Sequence, residues 1–436
     1  MSLLRIDEIF NFEKGVLQSS KCVPGEYDFI TASSDWKTHN EYTHDCEALI
    51  FAAAASGSLG RTHYVNGKFI SSDLCFIITP KDQEKLPVDL KFYHILFNEL
   101  KDEIVRNTKA GTSKEAIGLG SFGKYQLPYF DIDTQIEIKN RFVKSEELKS
   151  DLSNELNHQV DLVKKLRQQL LQDAVQGKLV EQNPKDEPAS DLLKKIKKQK
   201  DTLIKQKKLK IGRATEQSVS LISDIEIPKS WQWCKSDEIF FVTKLAGFEY
   251  SEHISLKESG EIPVVRAQNV RPLNIDKTNL LYIDAKTSSN LERCALIKKC
   301  LLVTFIGAGI GDVATFEETE RWHLAPNVAK MEPFEGCEDF INVKYLNYYL
   351  MSKLGQREIF KHVKATAQPS LSMGTIRDID FAIPPLAEQI RIVQKLDELM
   401  QYCNELEASI KKSESQNEKL LQQVLREALR KEPVEA

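Results

Sequence analysis

Gln168-Gln169-Leu170-Leu171-Gln172-Asp173-Ala174 and Gln422-Gln423-Val424-Leu425-Arg426-Glu427-Ala428 are two copies of one segment, 254 positions apart. The same offset pairs Gln135-Ile136-Glu137-Ile138 with Gln389-Ile390-Arg391-Ile392. It also pairs Leu152, Leu156 and Leu166 with Leu406, Ile410 and Leu420. A constant offset over roughly 40 residues means one helix used twice without an insertion.

Upstream of each helix the correspondence continues with shifting offsets, as loops change length. Leu127-Pro128-Tyr129 stands where Ile383-Pro384-Pro385 stands, and Ser56-Gly57-Ser58-Leu59-Gly60 parallels Gly307-Ala308-Gly309-Ile310-Gly311. Tyr27 to Ala32 parallels Ile262 to Ala267, and Asp7-Glu8-Ile9-Phe10 recurs as Asp237-Glu238-Ile239-Phe240. The matches occur in the same order in both halves. The layout expected is therefore a first domain over 1–127, its long helix within 128–180, and a linker with a lysine-rich helix over 181–224. A second domain follows over 225–383 and a second long helix over 384–436.

More closely, the first long helix is expected from about Thr134 to Val175, ending near Gly177, which readily takes a left-handed φ. Gln182 to Pro188 is a polar, proline-bearing break, after which Ser190 is expected to cap the lysine-rich helix. The second long helix is expected from Leu386 to Arg430. Apolar residues recur at spacings of three and four in both long helices. Leu148, Leu152, Leu156, Val160, Val163, Leu166, Leu170 and Ala174 line one; Leu396, Leu399, Cys403, Leu406, Ile410, Leu420, Val424 and Ala428 line the other. Such a stripe faces a partner helix in a coiled coil, although Glu414 and Asn417 interrupt the second. Two equivalent units in one chain most simply relate by a pseudo-two-fold axis, which sets the helices antiparallel.

Each domain reads as mixed α/β (α+β). Strand signals are Leu49-Ile50-Phe51, Cys75 to Ile78, Val264-Val265 and Leu301 to Phe305. Helices with aromatic spacing follow, Lys91 to Phe97 and Val343 to Leu350, whose rings are expected in the core.

Composition narrows the class. The chain has 436 residues, 28% of them charged, and a net charge of −4. A nucleic-acid binder usually carries a basic surplus, so basic groups here must be concentrated locally or shared with partners. One stretch concentrates them, from Lys194 to Arg213, and a solvated helix face explains it equally well. No apolar run approaches the ~20 residues of a membrane span. The N-terminal residues lack the layout of a secretory signal, so the cytoplasm is the expected compartment. The eight cysteines include no C-x-x-C pair, and His39, His44 and His63 share no helical face; buried reduced thiols are expected and no metal site.

Catalytic signals are sparse. Thr304-Phe305-Ile306-Gly307-Ala308-Gly309-Ile310-Gly311-Asp312 runs from a strand into glycines, as phosphate and S-adenosylmethionine loops do. However, Val313 to Phe316 reads as a strand, so a hairpin turn fits better. No Walker loop, no Asn-Pro-Pro-aromatic tetrapeptide and no nucleophile with a recognisable base is present.

The doubled layout resembles the specificity subunit of type I restriction-modification enzymes. Leu166 to Val180, then Pro188 to Leu193 with the lysine-rich helix, look like that family's central region, and Ile383-Pro384-Pro385-Leu386-Ala387-Glu388-Gln389-Ile390-Arg391-Ile392-Val393 looks like the entry to its second helix. In the first copy the corresponding start, Leu127 to Asp133, is two residues longer and lacks Glu-Gln. The resemblance implies a non-catalytic chain whose two target-recognition domains each read half of a split double-stranded DNA site. It implies that the helices set the gap and bind two methyltransferase subunits, with two ATP-dependent restriction subunits joining for cleavage. S-adenosylmethionine, ATP and Mg are then expected in those partners, and none in this chain. A coiled-coil scaffold with two protein-binding domains and no DNA role is the alternative; a self-sufficient methyltransferase ranks third.

A helix of about 40 residues spans roughly 60 Å, long enough to hold two modules a DNA turn (roughly 34 Å) apart. Candidate DNA-contacting residues lie in polar loops at matching places. In the first domain they are Ser33, Ser34, Lys37, Arg61, Lys109, Thr112 and Lys114; in the second, Arg266, Gln268, Asn269, Arg271, Lys364, Thr366 and Gln368. Arg suits guanine, Asn and Gln suit adenine, and Lys more often meets phosphate.

Overall fold

The computed structural model describes residues 2–54, 57–110, 116–209, 225–361 and 370–429. The chain divides into two compact units, Met1–Leu156 with Lys412–Ala436, and Asn157–Lys411. Among the described residues no helix is long and apolar enough to cross a membrane, and no group of His, Cys, Asp and Glu could hold a metal ion.

In the first unit, Ser2–Arg5 pairs antiparallel with Gln126–Tyr129, so the domain's two ends meet just before its long helix begins. Between them lies one six-stranded sheet: Phe10–Lys14, Cys75–Pro80, His44–Ala52, Thr62–Ser71, Tyr27–Ile30 and Lys37–His39, in that order. Side chains alternate across a strand, and Leu49 and Phe51 enter one core cluster while Ala48, Ile50 and Ala52 enter another. Phe92, Tyr93 and Phe97 of the helix Leu90–Glu99 are fully buried beside Phe10 and Phe51. Each such ring contributes about 1.5–3 kcal/mol by leaving water.

The second unit repeats the plan. Gln232–Lys235 pairs antiparallel with Asp380–Ile383, again closing the domain at the foot of a long helix. In place of one sheet there are two of four strands each. One runs Phe240–Lys244, Val328–Pro333, Cys300–Thr304, Val313–Phe316; the other runs Leu281–Ile283, Ile262–Val265, Trp322–Leu324, Ala295–Leu296. The aligned segments keep their roles. Tyr27–Ile30 and Ile262–Val265 each make a parallel pairing in an otherwise antiparallel sheet. Gly57 to Gly60 and Gly307 to Gly311 each join two antiparallel neighbours. Tyr345 and Tyr349 of the helix Val343–Met351 are fully buried, matching the aromatic helix of the first domain.

The long helices run Ile132–Val175 and Leu386–Leu429. Gly177 ends the first at φ +70, where the N–H of Lys178 returns to the Asp173 carbonyl at 2.8 Å and closes a Schellman motif. The lysine-rich helix spans Ala189–Lys205, but Ser190 does not cap it. Pro188 holds the cap position, where its carbonyl accepts the Asp191 N–H at 3.0 Å, and the Ser230 carbonyl accepts the Ala189 N–H at 3.0 Å, so backbone groups stand in for a capping hydroxyl.

Within the second unit the two helices are antiparallel: Arg167 meets Glu407, while Gln182, just past the first helix, meets Glu388 near the start of the second. Leu171, Ala174, Ile392, Leu396 and Met400 join one buried cluster. The expected seam needs correction at four leucines, since Leu148, Leu166, Leu406 and Leu420 are 56%, 43%, 50% and 59% exposed. At 3.6 residues per turn, one position of error rotates a side chain by about 100°. Arg167 and Glu407, each one residue after an expected seam leucine, turn inward instead and form an ion pair.

The Glu-Gln pair at the head of the second helix has a visible purpose. Glu388, 1% exposed, accepts the Trp231 indole N–H at 3.0 Å and the Gln182 amide, joining helix, domain and linker. Burial raises its carboxyl above the usual range. In the first copy Asp131 instead caps its own helix, accepting the Thr134 N–H at 2.9 Å.

Candidate nucleic-acid interface

In the first domain Ser33, Ser34 and Lys37 stand at a loop held from beneath. Ser33 Oγ lies 2.7 Å from Thr31 Oγ1 and donates to the Asp35 carbonyl at 2.9 Å, giving a self-bonded turn that leaves Ser34 and Lys37 exposed. His63, from the neighbouring strand, fixes that turn. Its Nδ1 accepts the Trp36 indole N–H at 3.3 Å, so its Nε2 carries the proton and donates to the Ser33 carbonyl at 2.9 Å. Burial keeps the His63 ring below the ordinary histidine range, in keeping with this neutral tautomer. Arg61 is half-buried and donates to the Ala32 carbonyl at 3.3 Å, so part of its guanidinium supports the loop from inside. Lys109 is exposed on a short strand, Lys109–Ala110, paired with Ala116–Ile117. Thr112 and Lys114 lie outside the described residues.

Beside this loop opens a cleft of about 930 Å³, lined among others by Trp36, His63, Tyr64, Lys91 and His94. Lys91 Nζ stands 5.4 Å over the Tyr64 ring, and Trp36 is 39% exposed at the rim. Trp36 and His63 were missed by sequence reasoning. A tryptophan in the polar run Ser33-Ser34-Asp35-Trp36-Lys37 was the available signal, whereas His63 acts through strand pairing that local spacing does not report.

In the second domain the loop after the strand Ile262–Val265 carries Arg266, Gln268, Asn269 and Arg271. The structure separates them. Asn269 is 1% exposed; its amide donates to the Asp276 and Thr278 carbonyls at 3.0 and 3.4 Å, and its oxygen accepts the Arg266 N–H at 3.1 Å. With both amide hydrogens engaged inside, Asn269 shapes the loop. Arg266 is half-buried and donates to the Asn279 carbonyl, closing the same loop across its mouth. Gln268 and Arg271 remain exposed, Arg271 on a tight hairpin whose tip, Leu273, takes φ +66. The Leu273 N–H is held by the Val313 carbonyl at 2.8 Å.

The glycine segment is a hairpin turn, as the strand after it required: Cys300–Thr304 pairs antiparallel with Val313–Phe316. Gly307, Gly309 and Gly311 have φ of +98, +84 and +85. A Cβ at Gly309 would stand 2.8 Å from Asp312 Oδ2, so glycine lets that carboxylate fold back over its own turn, with Arg271 Nη1 in ordinary contact range at 3.9 Å. Burial raises the Asp312 carboxyl, and Arg271 opposes that shift.

Lys364, Thr366 and Gln368 lie outside the described residues. Lys361, ahead of them, ends in a buried ionic cluster that sequence reasoning also missed. Its ammonium is 2.8 Å from Glu358, 3.2 Å from Asp380 and 3.4 Å from Asp378, and Lys235 reaches Asp378 at 2.6 Å. Burial pulls the Lys361 pKa down, yet the carboxylates outweigh it and the net shift is upward.

All eight cysteines are free. Burial pushes the Cys75 thiol up to about 12 and the Cys294 and Cys337 thiols up to about 11, so these stay protonated and unreactive at neutral pH.

The family model described as the type I restriction modification DNA specificity domain matches residues 2–162 and 228–414. The EcoAI specificity subunit of Escherichia coli is 28% identical over 253 residues, covering 56% of this chain and 41% of that protein. The EcoEI specificity subunit, also from Escherichia coli, is 27% identical over 255 residues, covering 57% and 42%. Each match thus spans less than half of the relative's length. A chain from a solved structure of the type I restriction-modification system superposes with a TM-score of 0.55 at 15% identity, covering 98% of this chain and 97% of that one. Its likeness is one of fold. With both copies of the repeat matched, the chain belongs to the family of type I restriction-modification DNA specificity domains.

Proposed function

We propose that this chain is the non-catalytic DNA-reading subunit of a type I restriction-modification complex. Each domain reads one half of a bipartite duplex target, and the long helices set the spacing between the halves. Two methyltransferase subunits and two ATP-dependent restriction subunits are its partners, and S-adenosylmethionine, ATP and Mg act on those subunits. The complex works in the cytoplasm.

The observation that carries this reading is the doubling itself. Two copies of one domain–helix unit present exposed polar groups from equivalent loops, Ser34 and Lys37 in one, Gln268 and Arg271 in the other. A loop at the end of a strand paired on both sides suits base reading, because the scaffold fixes where each donor and acceptor stands in the groove. Single-molecule methylation mapping of the source genome, with the gene present and deleted, is the test. Two short half-motifs with a fixed gap, methylated only when the gene is present, are expected. No change in any methylated motif, with the partner genes expressed, would overturn the reading.

A further inference from the structure

The lysine-rich helix is the feature that the base-reading loops leave unexplained. Between Ala189 and Leu209 stand eight lysines and two aspartates, in a chain whose net charge is −4. The helix is not loosely attached. Its stripe of Ala189, Leu192, Ile196 and Leu203 is buried in the main core of the second unit. Gln199 donates to the Glu335 carbonyl at 2.8 Å, and Lys200 to the Asp237 carbonyl at 2.6 Å.

Some of the positive charge is neutralised within the fold: Lys194 pairs with Asp191, Lys195 with Glu187, and Lys208 with Glu335. Lys197, Lys198, Lys205 and Lys207 are exposed and have no ion pair among the described residues. At about 100° per residue, Lys198 and Lys205 fall on one ridge, opposite Ile196 on the buried side, with Lys197 on its flank. From Lys197 to Lys205 this row is about 12 Å long, the axial rise of roughly three to four base pairs.

The end of the helix adds an independent observation. It closes in a Schellman motif, with the Lys208 N–H on the Leu203 carbonyl at 3.0 Å and the Lys207 N–H on that of Ile204 at 3.0 Å. The residue at the left-handed position is Lys207, with φ +59, where glycine would avoid the Cβ penalty. A cation is kept at a strained place. Strain of that kind points from the backbone toward function.

We infer that the helix Ala189–Lys205 is a sequence-independent clamp on the DNA backbone, its solvent ridge meeting phosphates beside the half-site read by the second domain. This rests on the DNA-reading assignment above. Phosphate contacts hold a protein in register on the duplex and carry no base information, so the clamp adds affinity without altering the motif. A rigid helix is suited to this task, because its backbone is already ordered and only the lysine side chains lose freedom on binding.

The test uses the full chain assembled with its modification subunits, and measures Kd for the methylated duplex and for a scrambled duplex across a series of salt concentrations. The variant replaces Lys197, Lys198 and Lys205 by Gln; a second replaces the same three by Arg. The expected result is a log Kd against log salt dependence shallower by about 0.9 for each phosphate that is no longer neutralised. Both duplexes should weaken by the same factor, the methylated motif should stay unchanged, and the Arg variant should restore the slope. An unchanged slope in the Gln variant overturns the inference. So does a Gln variant that fails to assemble yet keeps its slope when forced into complex by excess partner, since the ridge would then serve an acidic protein surface. Absence of duplex binding by the unsubstituted complex at every salt concentration would instead bring down the DNA-reading assignment, and this inference with it.

Discussion

Gln135 and Gln389, 254 positions apart, do the same thing in the two units. Each Oε1 accepts, at 2.8 Å, the backbone N–H of the residue that caps the buried aromatic helix, Asp89 in one and Asn342 in the other. Each Nε2 donates to a carbonyl just ahead of the long helix, that of Phe130 at 2.7 Å and that of Pro384 at 2.9 Å. Both side chains are fully buried. The aromatic helix of each domain is thereby stapled to the start of its long helix, which couples the orientation of the domain to that of the helix.

Removing this staple leaves a buried N–H and a buried carbonyl without partners, at a cost of about 1–3 kcal/mol per orphaned group. Gln389→Leu is therefore expected to lower stability by about 2–4 kcal/mol, and Gln135→Leu likewise. Urea denaturation followed by circular dichroism measures both. A loss below about 0.5 kcal/mol in each, the range of ordinary surface substitutions, would refute the staple.

The histidines set a pH dependence whose sign is fixed by their environment. Burial lowers the pKa of His63, His94 and His323, so the unfolded chain binds more protons than the folded one in the acidic range. Their stabilising contribution is present above the unfolded value of about 6.5 and is lost as pH falls through the lowered folded values. Stability should thus decline on acidification below about pH 6.5, with a smaller decline in His63→Gln. Thermal melts over a pH series read this directly; equal slopes in the two proteins would exclude a contribution from His63.

The loop geometry sorts the second domain's candidates into two phenotypes. Gln268→Ala and Arg271→Ala remove exposed groups and should relax or change the second half-motif, a good bidentate base contact being worth about 1–3 kcal/mol of discrimination. Asn269→Ala opens a loop held by three internal hydrogen bonds and should reduce folding while leaving the motif as it was. Methylation mapping alongside thermal melts distinguishes the two. A new motif from Asn269→Ala at unchanged stability would reverse the assignment.

The Arg167–Glu407 pair, 3.1 Å long and with side chains 24% and 32% exposed, is a local marker of helix register. Glu407→Arg should destabilise the second unit by about 1–2 kcal/mol through like charges in a half-buried seam. Combining it with Arg167→Glu should recover most of that loss, as a double-mutant cycle would show. No recovery in the double variant would mean that the two residues act independently.

The sequence alone determined the repeat, both long helices, the glycine hairpin and the aromatic helices. These rest on local periodicity, turn chemistry and the constant 254-residue offset, none of which needs a distant contact to be read. It also pointed to the loops on which Ser34, Lys37, Gln268 and Arg271 stand exposed. Only the tertiary structure decided which polar residues face outward and which brace the fold. Asn269 and Gln268 are neighbours of similar chemistry, yet one is enclosed by the Asp276 and Thr278 carbonyls and the other is exposed. Tertiary structure likewise turned Arg167 rather than Leu166 into the helix seam, and split the second domain into two sheets where the first has one. The reason is the same throughout. One residue of register rotates a helical side chain by about 100° or moves a strand side chain to the opposite face, and that last rotation is set by which partner surface lies there.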